Sequence, residues 1–192
     1  MDSQSVAAIV LAAGKGTRMR SSLPKVMHPI GGRPMVDHLL STVASAGIDR
    51  VVVVVSPDMT LMTGALENAD IAVQDQALGT GHAAQCAIPS LERFDGTILI
   101  LFGADPLIST TTLERLIEAR RGADAPVLVV LGFRPADPAQ YGRLVVDGDG
   151  QLERIVEYWD ADEATRSIDL CNSGAMAVDA ATLSRLLARL GN

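Results

Sequence analysis

The stretch Val6 to Lys25, VAAIVLAAGKGTRMRSSLPK, constrains this chain more than any other. It begins as an apolar, β-branched run, Val6 to Leu11, of the length expected for a buried strand. The run breaks into Ala12-Ala13-Gly14-Lys15-Gly16, small residues that let a backbone pass close to a ligand. Arg18, Arg20 and Lys25 follow shortly after. In such a turn backbone N–H groups meet anionic oxygens, and the cations behind them neutralise phosphate charge. The pattern reads as a polyphosphate cradle. It is neither of the common nucleotide loops: G-x-x-x-x-G-K-[ST] is absent, and Gly14-x-Gly16 lacks the third glycine of a dinucleotide turn.

Apolar runs recur with helical segments between them. Val51–Val55, Ile71–Val73, Ile98–Phe102 and Val127–Leu131 read as further strands. Pro34 to Ala46 carries Met35, Val36, Leu39, Leu40 and Val43 at helical spacing and ends at Gly47. Leu61–Leu66, Gly81–Ala87 and Thr111–Arg120 are expected helices, the last opened by Thr110 to Thr112 with Glu114 following. This alternation predicts an α/β fold with a mostly parallel central sheet and helices on both faces. Ligands of such a sheet bind beyond the carboxyl ends of the strands, where the Gly14 loop falls. After Tyr141 the pattern changes. Leu144–Val146 and Leu152–Val156 flank Asp147-Gly148-Asp149-Gly150 as a hairpin, Ala175–Val178 is a short strand, and Ala181–Leu190 is a closing amphipathic helix.

Composition narrows the function classes. A length of 192 residues and no linker or repeat suit a single domain, 1–192, and 48% apolar residues favour a compact fold. The formal charge of −7, with no basic run, gives no support to nucleic-acid binding. No stretch is long enough to span a membrane, and no basic flank precedes the first apolar run, so a cytoplasmic protein without a signal peptide is expected. Cys86 and Cys171 match no metal spacing and read as free thiols of a reducing compartment.

The segment L-A-A-G-x-G-T-R-M followed by L-P-K resembles the signature of sugar-1-phosphate nucleotidyltransferases. Within them it is most similar to the uridylyltransferase half of the bifunctional enzymes that make UDP-N-acetylglucosamine for peptidoglycan and the cell wall. The resemblance implies a Rossmann-like nucleotide-diphospho-sugar transferase fold. It also implies that Leu11, Ala12, Ala13, Gly14 and Gly16 wrap a nucleoside triphosphate, with Arg18 and Lys25 as the catalytic cations. Gln74 to His82, QDQALGTGH, resembles the family's uracil-reading loop, with Gln74, Gly79 and Thr80 in contacting positions. His82 is expected to pack at the helix start. Tyr141-Gly142-Arg143, Glu157 and Cys171-Asn172-Ser173-Gly174 match sugar-binding positions, which gives Gly142, Glu157 and Asn172 that role. The implied partners are UTP and an amino-sugar 1-phosphate, and the implied cofactor is Mg²⁺. The resemblance covers Val6 to Asn192 and stops short of the family's full domain, with its later metal-holding Asn, and of the acetyltransferase β-helix.

Two motifs depart from the family. Where it has G-D-x-P-L, this chain has Gly103-Ala104-Asp105-Pro106-Leu107, so Ala104 holds the metal position and Asp105 comes one residue later. In an extended segment that shift turns the side chain to the other face. Glu157-Tyr158-Trp159-Asp160 replaces E-x-K-D, adding two aromatics beside the sugar position. The leading function is uridylyl transfer with reduced turnover. A cytidylyltransferase for another acceptor, and a non-catalytic or engineered binding module using Tyr158 and Trp159 as anchors, are the alternatives.

Overall fold

The apolar runs become strands because β-branched side chains pack well on a pleated surface. The computed structural model describes residues 5–14, 16, 19–59, 66 and 69–190. In chain order it has β1 Val6–Leu11, β2 Pro29–Ile30, β3 Arg33–Pro34, α1 Met35–Ser45, β4 Arg50–Val55, β5 Asp70–Val73, α2 Thr80–Ala87 and β6 Thr97–Phe102. There follow α3 Thr110–Arg121, β7 Leu128–Phe133, β8 Arg143–Val146, β9 Leu152–Val156, α4 Glu163–Arg166, β10 Cys171–Asp179 and α5 Ala180–Leu187. The helix expected at Leu61–Leu66 lies outside the described residues, apart from Leu66. Contacts divide the chain into two units, Met1–Val129 with Met176–Asn192, and Val130–Ala175.

In the first unit β5, β4, β1 and β6 lie side by side and parallel, with Ile9 opposite Val52 on one side and Ile100 on the other. The last residues of β10 pair antiparallel with β6, Met176 opposite Ile100. Alternation sends successive side chains to opposite faces. Ile9 and Leu11 of β1 and Val52 and Val54 of β4 pack with Ala83, Ala84 and Ala87 of α2 and Leu183 and Leu187 of α5. The intervening Ala8, Val10, Val53 and Val55 are fully buried. On the amphipathic helices, α1 buries Val36, Leu39 and Val43, and α3 buries Leu113, Leu116 and Ile117. The fold is the expected α/β arrangement with a mostly parallel sheet.

Helix ends follow local chemistry. The cap of α3 is Ser109, whose Oγ accepts from the Thr112 N–H at 3.1 Å, one residue before the expected start signal. Asp179 caps α5, accepting from the Thr182 N–H at 2.8 Å, and its other oxygen accepts from Arg120 at 3.0 Å. Burial opposes ionisation of Asp179, but the Thr182 hydrogen bonds and the Arg120 charge outweigh it and hold the carboxyl below the usual range. No helix among the described residues is long and apolar enough to cross a membrane. Cys86 and Cys171 are both free.

In the second unit β8 and β9 form the expected hairpin, with Arg143 opposite Val156. Its turn is held by Asp147, whose Oδ1 accepts from the N–H of Asp149 at 2.9 Å and of Gln151 at 2.8 Å. The short strand expected at Ala175–Val178 is instead Cys171–Asp179. Its first half, Cys-Asn-Ser-Gly, has turn composition, yet Cys171 pairs with Arg143 across the ladder. Pairing outweighs propensity there.

Candidate functional site

At the carboxyl end of β1 the ladder runs on for one residue, Ala12 N–H donating to the Val54 carbonyl at 2.8 Å. The chain then lifts away. A Cβ at Gly14 would meet nothing within 4 Å, so the backbone there faces open space. Gly16 is different: its φ is +56°, and a Cβ would lie 2.7 Å from the Lys25 Cβ. Only glycine permits that crossing without strain. Lys25 itself is exposed and is presented by a short helical turn anchored through buried Val26. Arg18 lies outside the described residues.

The second loop follows β5. Gln74 continues the strand by donating its N–H to the Val55 carbonyl at 2.8 Å, and it is 6% exposed. Its Nε2 donates to the Gly79 carbonyl at 3.0 Å and approaches His82 Nδ1 at 3.1 Å. Gly79 precedes α2 at φ +100°, ψ 179°, a conformation open to glycine alone, and α2 has no side-chain cap. The first N–H groups of that helix therefore lack the partners an Asp or Ser would supply.

The third loop follows β6. Gly103 N–H donates to the Leu11 carbonyl at 2.9 Å, and Asp105 N–H donates back to the Phe102 carbonyl at 2.9 Å. Residues 102–105 thus form a tight turn, so the two-face rule of an extended segment does not apply to Ala104 and Asp105. Burial raises the Asp105 carboxyl above its usual range, and the nearby Lys25 charge pulls the other way.

These loops enclose a cavity of about 420 Å³. Leu11, Ala13, Gly14, Lys25, Gln74, Gly79 and Thr80 line it, together with Ala104. Ala12 is buried, and neither Gly16 nor Asp105 reaches the lining. Val26, Ala77, Ala83 and Phe102 complete an apolar wall that sequence reasoning missed. Phe102, the last residue of an apolar strand, carried a signal for it; the others did not. Magnesium is a hard ion that takes oxygen ligands. Position 104 offers a methyl group, and no group of three His, Cys, Asp or Glu that could hold an ion exists among the described residues. Among the described residues, the donors at this cavity do not make up a set that fits the ion.

In the second unit Asn172 N–H donates to the Gly142 carbonyl at 2.8 Å, and a Cβ at Gly142 would come within 3.3 Å of the Glu157 carboxylate. Gly142, Glu157 and Asn172 are therefore neighbours. Asn172 Oδ1 accepts from the Gly174 N–H at 2.9 Å, leaving its amide nitrogen as the group to offer. Arg143, 2% exposed, was missed. Its guanidinium donates to the carbonyls of Ala139 at 3.1 Å, Pro138 at 3.3 Å and Arg166 at 3.2 Å, and also to that of Tyr141. It ties the turn before β8 to the end of α4. The Tyr158 ring has the Arg166 guanidinium 4.8 Å from its centroid and the Trp159 ring edge-on at 5.1 Å. Trp159 is 74% exposed.

Comparison with known proteins adds to this geometry. Residues 8–167 match the model of the MobA-like NTP transferase domain. The bifunctional protein GlmU of Paramagnetospirillum magneticum is 54% identical over 192 residues, covering 100% of this chain and 42% of that protein. GlmU of Rhodospirillum rubrum is 53% identical over 186 residues, covering 97% and 42% respectively. The chain thus spans about two fifths of the length of these curated relatives. Among solved structures, HddC from Yersinia pseudotuberculosis, complexed with GMP-PN, aligns with a TM-score of 0.72 at 24% identity. That alignment covers 93% of this chain and 78% of HddC, and it shows a shared fold.

Proposed function

The chain belongs to the family of MobA-like NTP transferase domains, and from that premise we propose that it moves a uridylyl group from UTP to N-acetylglucosamine 1-phosphate. The products are UDP-N-acetylglucosamine and pyrophosphate. The observation that carries this reading is the cavity in which Gly14, Lys25, Gln74 and Gly79 line one space. A base-reading amide, two lengths of open backbone and a cation are what a nucleoside triphosphate requires.

The reaction needs no covalent intermediate on the protein. An oxygen of the sugar phosphate forms a bond to the α-phosphorus, the bond to the oxygen bridging the α- and β-phosphates breaks, and pyrophosphate leaves with that electron pair. Catalysis is then positioning and charge neutralisation. The backbone at Gly14 admits the triphosphate, and Lys25, joined in this reading by Arg18, balances the charge that grows on pyrophosphate. For the sugar, Glu157 accepts from hydroxyl groups, the Gly142 backbone lies against the ring, and the Asn172 amide nitrogen donates to the acetamido carbonyl. A divalent ion usual for such transferases would enter with the nucleotide. The reading assigns the reaction to the cytoplasm.

Pyrophosphate release from UTP and N-acetylglucosamine 1-phosphate, measured in magnesium buffer with CTP as the control, tests the reading. Release with UTP alone supports it. Release with CTP alone favours the cytidylyltransferase. UTP binding without release favours a binding module built on exposed Trp159.

A further inference from the structure

We propose that His82 is a positioning residue that sets the base preference of the cavity, by holding the Gln74 amide with its oxygen toward the base. The inference rests on the uridylyltransferase reading and deepens it.

The orientation of the amide follows from its partners. A carbonyl oxygen can only accept, so the Gln74 atom 3.0 Å from the Gly79 carbonyl is the NH₂ group. Its second hydrogen points to His82 Nδ1, 3.1 Å away. That ring nitrogen must therefore carry the lone pair, with the proton on Nε2. Both N–H bonds of Gln74 are thereby used. Its Oε1 has no partner among the described residues, although Gln74 is only 6% exposed and lines the cavity. The one group left for a ligand is an acceptor.

The same cavity is lined by Gly79 and Thr80, at the start of α2, where donors are available. Gly79 opens α2 without a side-chain cap, so the leading N–H groups of the helix are free of one. A donor next to an acceptor complements the O4 and N3–H edge of uracil. Cytosine presents the reverse, an amino donor at C4 and a lone pair on N3, and in the same pose it matches neither. A turned amide would present N–H and lose this discrimination. Two partners on the NH₂, one of them His82, oppose that turn.

The ratio of UTP to CTP affinity reads this directly, because a purely structural loss weakens both nucleotides alike. Calorimetry on the chain and on His82→Leu, His82→Ala and His82→Asn, with melting curves for each, gives the ratio in four proteins. The side-chain oxygen of Asn occupies nearly the place of Nδ1 and accepts as it does. We expect the chain to prefer UTP, the Leu and Ala variants to lose about three- to tenfold of that preference, on the scale of one neutral hydrogen bond, and Asn to restore it. An unchanged ratio in the folded truncations, an equal loss in His82→Asn, or no preference in the unaltered chain overturns the role of His82 while leaving UTP binding intact. No UTP binding at all in the unaltered chain overturns the functional reading, and this inference with it.

Discussion

Lys25 lies directly under Gly16: a Cβ at position 16 would sit 2.7 Å from the Lys25 Cβ, and the φ of Gly16 is +56°. The glycine thus fixes where the exposed cation stands relative to the cavity.

Gly16→Ala should cost about 1–3 kcal/mol, from the left-handed backbone together with the forced shift of Lys25. UTP affinity should fall with it. Urea unfolding and a nucleotide titration of the same variant check both parts.

Arg143→Lys should destabilise the protein by about 2–4 kcal/mol, although the charge is kept. The planar fork satisfies carbonyls from Pro138, Ala139, Tyr141 and Arg166, and an ammonium cannot reach them all. Thermal melting measures the loss.

Asp105→Asn tests the buried carboxyl through pH. The folded state raises the pKa of Asp105 by burial, with Lys25 opposing. A raised carboxyl stabilises the fold most fully below its unfolded value, about 3.9, and this contribution is lost as pH rises through the folded value. The variant cannot ionise, so its stability relative to the parent should increase between acid and neutral pH. Urea midpoints across that range give the sign, and a relative decrease contradicts it.

Ala104→Asp adds an oxygen donor where the cavity wall has a methyl group. UTP affinity should become more dependent on Mg²⁺ than in the parent. Titrations of UTP with and without magnesium measure the gain, and an unchanged dependence contradicts the placement of position 104.

Much of the fold was legible because β1 throughout, and β4 and β6 past Arg50 and Thr97, are apolar, as strands covered on both faces must be. The loops after β1 and β5 announce themselves through glycines that the backbone needs, at Gly16 and Gly79. Arg143 was not legible: its partners are carbonyls of separate turns, which carry no side-chain signature. His82 was read as packing, since only the folded loop brings its Nδ1 to Gln74. For Ala104 and Asp105 the rule applied was that of a strand, and the hydrogen bond from Asp105 to Phe102 makes the segment a turn. Ser109 and the first half of β10 were missed because short polar residues favour caps, turns and strand ends alike.

The central claim is that the cavity between the loops following β1, β5 and β6 holds UTP with Lys25 on its phosphates. Calorimetric titration of UTP into the chain and into Lys25→Ala tests it most directly. Saturable binding by the chain, weakened about tenfold or more in the variant, is the expected result, on the scale of a hydrogen bond to a charged group. Equal affinity in the two proteins, or no binding by either, would contradict the account.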